Sequence, residues 1–209
     1  MTDVPPIYAS QITHYLAATT AREADRAVAK IRAQLATPYE FWKDPYGPVQ
    51  NRLLRDRRGS RDGQELADLA ASATSQRKAS YTLAAKGWAQ LSPWWHGLQH
   101  ERLRNQRVQV GDLTVVVPRL CAERHPDGEL EVLYVRFNQG DLPLYTIFGV
   151  MRIVQRAHPG ATITFVDVRR GAVHTSKGRD LTAYDEWLTE AGNDLAKLLA
   201  AGQDQADAA

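Results

Sequence analysis

Five arginines, Arg52, Arg55, Arg57, Arg58 and Arg61, fall within ten residues of one another, and Asp56 is the one carboxylate among them. Three more, Arg102, Arg104 and Arg107, follow shortly after Trp94 and Trp95. A guanidinium pairs bidentately with phosphate oxygens, and an exposed aromatic ring stacks on bases. The two groups therefore have the chemistry of a nucleic-acid surface, for DNA or RNA. The same residues also have structural uses. Arginines near a helix C-terminus are favoured by its dipole, and tryptophans at helical spacing also build cores.

Other reactive side chains are sparse. His96 and His100 stand four apart on a predicted helix and would point the same way, as zinc-binding imidazoles do, but Gly97 occupies the place of the catalytic Glu in the zinc-protease signature and no third ligand is evident. Cys121, with His125 or His174, has the residue types of a thiol nucleophile; a lone cysteine at a strand end also reads as a small buried apolar residue. The segments around Gly59, Gly87 and Gly171 lack the glycine spacing and the Lys-Ser/Thr of a phosphate-cradling loop. The expectation is no catalytic residue, no metal and no cofactor.

Composition bounds the remaining possibilities. With 209 residues and 44% hydrophobic residues, the chain can bury a substantial core. Residues 1–107 hold 16 Lys plus Arg against 10 Asp plus Glu, and residues 108–209 hold 10 against 14, so the first half is the one suited to an anionic partner. Arginine outnumbers lysine 20 to 6, a bias that a GC-rich genome also produces. The first residues show no leader pattern and no apolar run approaches the roughly 18 residues of a membrane span, so no membrane partner is expected. Together with a single cysteine, this predicts a cytoplasmic protein.

The elements that must position these residues follow from periodicity and caps. Ser10 is suited to cap a first helix with Ile12, Tyr15 and Leu16, and Thr20-Ala-Arg-Glu23 has the form of a capping box before Val28, Ile31 and Leu35. Residues 39–48 carry four aromatic rings and several prolines and read as a loop. A short helical run holds Leu53 and Leu54. Asp62-Gly-Gln-Glu65 opens the longest helical stretch, which Ser92-Pro93 ends, and a further helix is predicted through Trp94, Leu98, Arg102 and Asn105. Val108 to Val117 and Glu129 to Phe137 read as strands folding back about the His125-Pro-Asp-Gly128 turn. Asp141 is placed to cap a helix, Ala161 to Val168 and Ala172 to Thr175 are strands, and Leu181 to Leu198 mark a last amphipathic helix.

Helix, hairpin, helix and strand over residues 93–168 resemble the core of the restriction-endonuclease-like PD-(D/E)XK superfamily. In that family an Asp near the second core strand and an acid-x-Lys on the third hold a divalent metal that activates water for phosphodiester hydrolysis. On Glu131-Val-Leu-Tyr-Val-Arg-Phe137 the resemblance puts Tyr134 and Arg136 at the acid and lysine positions, which implies a degenerate site. Folding about Asp127 would leave Asp112 about 20 Å from Arg136 along the strand, too far to share a metal, with Glu131 and Asp167 as substitute acids.

The expected architecture is α+β: a helical N-terminal half packed on a small mixed sheet of three or four strands with flanking helices. Residues 1–92 form the helical region, 93–202 the α/β region and 203–209 a disordered tail. The expected function is a non-catalytic nucleic-acid-associated protein that uses Arg52, Arg55, Arg57, Arg58, Arg61, Arg102, Arg104 and Arg107. Two alternatives remain. One is a protein–protein adaptor or homo-oligomer meeting its partner through loop 39–48 and apolar strand faces; the other is a metal-dependent nuclease with relocated ligands.

Overall fold

The computed structural model describes residues 4–37, 46–59, 62–118 and 121–206. A two-residue strand β1 (Ile7–Tyr8) leads into α1 (Ala9–Leu16), and α2 (Ala21–Ala36) follows the predicted capping box. The Thr20 hydroxyl accepts from the Glu23 N–H at 3.3 Å, and the Glu23 carboxylate accepts from the Thr20 N–H at 3.2 Å. Helix α3 (Gly47–Arg58) begins inside the expected loop, because Pro48 sits in the first helical turn, where its missing N–H costs nothing. Residues 38–45, which hold most of the aromatic loop, lie outside the described residues, as does Arg61.

The long helix expected from residue 62 is two helices, α4 (Gln64–Ala71) and α5 (Ser75–Leu91). At the break the Ser72 hydroxyl donates back to the Asp68 carbonyl at 2.9 Å, an alternative to continuing the helical ladder. Helix α5 lies very close to the sheet: a Cβ on Gly87 would come within 1.6 Å of the Val168 carbonyl oxygen.

The helix predicted over residues 93–105 does not form. Ser92–Trp95 make a single 3-10 turn, Gly97 takes a left-handed φ of +80°, and Gln99–Arg102 continue as strand β2. The glycine conformation ends the helical path, and pairing with a neighbouring strand then overrides local propensity. His96 and His100 therefore share no helix face.

The hairpin is also different from the predicted one. Residues 108–117 do not pair with 129–137; they fold on themselves as β3 (Gln106–Val110) and β4 (Leu113–Val117) about the two-residue turn Gly111-Asp112. The partner of β6 (Leu130–Arg136) is a short strand, β5 (Cys121–Arg124), whose four residues carry little periodic signal. Helix α6 (Leu144–Ala157) then carries the chain to β7 (Thr162–Asp167), parallel to β6, and β8 (Ala172–Thr175) closes the edge before α7 (Asp185–Ala206). Pro143, not Asp141, occupies the N-cap of α6, since the Asp141 carboxylate is engaged by Arg170 at 2.6 Å.

The result is an α+β fold in which the helical N-terminal half packs against two small mixed sheets. Their strand orders are β1-β4-β3 and β2-β5-β6-β7-β8. Side-chain alternation along the larger sheet gives it two apolar faces. One, with Cys121, Leu133, Val166 and Val168, packs with Val49, Leu53, Leu66, Trp88 and Trp95 from the α3 to α5 region. The other, with Ala122, Val132, Tyr134, Ile163 and Phe165, packs with α1, α6, α7 and the smaller sheet. Both faces are internal, so the strand faces expected to meet a partner are already covered.

Candidate nucleic-acid interface

Helical spacing on α3 divides the first arginine group. Val49, Leu53, Asp56 and Arg57 turn inward and are buried, while Asn51, Arg55 and Arg58 are exposed on the other side. Asp56 accepts from the Trp88 indole N–H at 2.7 Å and from the Gly63 N–H at 2.9 Å, so it does not neutralise its arginine neighbours. Arg57 leaves the predicted nucleic-acid group altogether. Its Nε donates to Glu123 Oε1 at 2.8 Å, Nη2 lies 2.7 Å from Glu123 Oε2, and Nη2 also donates to the Trp95 carbonyl at 2.9 Å. Both side chains are fully buried. The signal for this is in the sequence: residues 49, 53 and 57 share one helical stripe.

Of the remaining members, Arg52 is half-exposed and paired with Glu65 at 2.7 Å. Arg55 and Arg58 meet Arg102 of β2 around a cavity of about 320 Å³ that Asn51 and Leu54 also line. The two arginine groups are thus brought together from about 45 residues apart in the chain, and no carboxylate is among the described lining residues. Arg104 and Arg107 are exposed but do not line this cavity; Arg107 lies on β3 of the smaller sheet. The tryptophans divide as well. Trp95 is buried and stacks on Trp88 with ring centroids 5.8 Å apart, whereas Trp94 is 66% exposed.

A row of polar residues crosses the larger sheet on its α3-facing side. Register pairs His100 with Glu123, Glu123 with Glu131 and Glu131 with Thr162. Besides Arg57, Glu123 is met by His100 Nδ1 at 3.3 Å. Burial pushes the Glu123 carboxyl up, but the hydrogen bonds from His100 and Arg57 and the charge of Arg57 outweigh it and hold the group below its ordinary value. Glu131 accepts from Thr164 Oγ1 at 2.6 Å and from the Trp95 indole N–H at 3.0 Å, with His125 Nε2 also at 3.0 Å. Glu123 is missing from the residues singled out by sequence, because its strand is too short to show a period and residues 108–117 look like the better partner for β6.

This row does not fit a divalent cation. Glu123 already holds a guanidinium, Glu131 is occupied by protein donors, and Leu133 stands where acid-x-Lys, counted from Glu131, needs a lysine. The positions expected for the acid and lysine, Tyr134 and Arg136, face the opposite side of the sheet. Tyr134 is buried, which pushes its phenol above the ordinary value, and Arg136 pairs with Asp167 at 2.9 Å. The substitute acids, Glu131 and Asp167, point to opposite faces and cannot share one ion. Asp112 lies in the β3–β4 turn, so the distance expected from a hairpin about Asp127 does not apply. Among the described residues no three His, Cys, Asp or Glu side chains group as metal ligands.

Cys121 is buried in the core between the sheet and α3 to α5. His174 packs on the rings of Phe148 and Phe165. Among the described residues no helix is long and apolar enough to cross a membrane. No family model matches this chain, and no curated protein or solved structure matches it either.

Proposed function

We propose that this protein is a non-catalytic nucleic-acid-associated protein that contacts phosphate through Arg55, Arg58 and Arg102. The observation that carries this is the convergence of three arginines, from a helix and a sheet edge, on one cavity with no carboxylate among its described lining residues. Guanidinium groups held around a concave volume suit phosphate better than the same residues scattered over a surface. Arg104, Arg107 and the exposed ring of Trp94 are additional contacts available to a longer strand.

The occupied carboxylates support a non-catalytic scaffold. Glu123, the most buried acid of the polar row, is neutralised by Arg57, and Glu131 is held by Thr164 and Trp95. Of the element order read from the sequence, the structure keeps the parallel β6–α6–β7 unit, whereas the helix over residues 93–105 and the hairpin of 108–117 with 129–137 are replaced by other elements. Cys121, the single cysteine of the sequence, is buried in the core, which accords with a reducing, cytoplasmic setting.

The test is binding of labelled DNA and RNA across a salt series. Affinity falls steeply with salt, and substituting Arg55, Arg58 and Arg102 by Ala lowers the slope of log K against log salt by about one for each phosphate that is no longer neutralised. Absence of binding at low salt ends the proposal.

A protein partner or self-association is the second reading. It is favoured by large side chains left exposed, among them Trp94, Leu144 and Tyr145, at 66%, 59% and 42%. A stable oligomer on a sizing column with no nucleic-acid affinity would select it.

A further inference from the structure

We infer that the cavity formed by Asn51, Leu54, Arg55, Arg58 and Arg102 takes a terminal phosphate, a phosphomonoester, in preference to an internal stretch of nucleic-acid backbone. The inference rests on the nucleic-acid reading above and specifies the ligand of that same site. The first argument is charge. An internal phosphodiester carries one negative charge, whereas a phosphomonoester carries about −1.5 to −2 near pH 7 and offers three strong acceptor oxygens. Three guanidinium groups around one cavity, with no carboxylate among its described lining residues, match the second better than the first.

Geometry gives the second argument. Arg55 and Arg58 are three apart on α3, so their Cβ atoms lie about 5–6 Å from each other. Arg102 reaches the same volume from β2: it pairs in register with Cys121, whose side chain is on the α3-facing side of the sheet. The three side chains therefore reach one cavity from two elements, α3 and β2.

Size is the third argument. A cavity of about 320 Å³, half open to solvent, is at the lower end of small-ligand pockets, which span roughly 300–1,000 Å³, and has room for one phosphate group. Leu54 gives an apolar wall for a sugar or base, and Asn51 adds an amide donor beside the guanidinium groups. The cavity is also preorganised. The buried contacts of Arg57 with Glu123, and of Glu123 with His100, tie α3 to β5 and β2, the elements that carry Arg58 and Arg102 next in sequence or two residues on. Less ordering is then required when the phosphate arrives.

The phosphomonoester has two sources, the end of a strand or a free mononucleotide, and one experiment separates them. The full chain is titrated with an internally labelled oligonucleotide bearing a 5′-phosphate, a 3′-phosphate or hydroxyls at both ends, and 5′-AMP and inorganic phosphate serve as competitors. We expect one phosphorylated end to bind at least about tenfold tighter than the dephosphorylated strand, a preference that shrinks below about pH 6 as the monoester gains a proton. Arg55→Ala with Arg102→Ala should abolish the preference, and the Lys pair should restore part of it. Both variants change exposed side chains, and an unaltered melting curve checks their folding.

Equal affinity for phosphorylated and dephosphorylated strands overturns the inference while leaving the nucleic-acid reading intact. Binding of 5′-AMP with no binding of any oligonucleotide supports the phosphomonoester site but overturns the nucleic-acid reading. No binding of any of these ligands overturns both.

Discussion

Arg57 and Glu123 form an ion pair with both side chains fully buried, Nη2 and Oε2 being 2.7 Å apart. It fastens α3, the helix that exposes Arg55 and Arg58, to β5 of the larger sheet, next to the edge strand β2. An arginine that looks in sequence like its neighbours is therefore a structural cation.

Replacing Arg57 alone by Met should destabilise the protein by about 3–5 kcal/mol, because Glu123 is left buried without its main partner. The double change Arg57→Met with Glu123→Met should recover most of that loss, since a packed apolar pair has no charge to desolvate. Denaturant melts of the three variants measure both effects. A single variant as stable as the parent would mean the pair contributes nothing.

Neighbouring tryptophans should behave oppositely. Trp95→Ala removes a buried ring that stacks on Trp88 and donates to Glu131, and should cost about 3–5 kcal/mol. Trp94→Ala, at a position 66% exposed, should change stability by less than about 0.5 kcal/mol. Comparable losses from the two would contradict this packing.

Acid should weaken the junction of α6 and α7. Hydrogen bonds from Arg152 lead the causes that lower the Asp185 carboxyl to about 2, with Arg156 adding to them against a smaller upward push from burial. Because the folded value lies below the unfolded one, the stabilisation is complete above about pH 4 and is lost as pH falls toward about 2. Asp185 is 36% exposed, so solvent screening reduces the contribution to about 1 kcal/mol. Asp185→Asn should remove this amount at pH 7 and leave a flatter acid limb. An unchanged pH profile would rule the linkage out.

Divalent metal should have no effect. With Glu123 and Glu131 occupied by protein donors, millimolar Mg²⁺ or Mn²⁺ should neither raise the melting temperature nor support cleavage of DNA or RNA. Chelator-sensitive cleavage would restore the nuclease alternative.

Much of this molecule is determined by its sequence alone. The Thr20 capping box, the amphipathic stripe of α2 and the alternating run of β6 specify their elements through contacts within a few residues, and so does the apolar run of β7. Such local patterns are readable because neighbours in sequence are also neighbours in space. The positions of Arg55 and Arg58 on an exposed helix face belong to this class, whereas the burial of Arg57, although it shares the stripe of Val49 and Leu53, depends on Glu123, 66 residues away. Tertiary structure decided the rest. Gln99–Arg102 is a strand because β5 offers it a ladder, and β6 pairs with β5 while residues 106–117 pair with each other. Strand partners are chosen by long-range packing that no single segment encodes, and that choice placed Glu123 beside Glu131 and carried Arg102 to the arginines of α3.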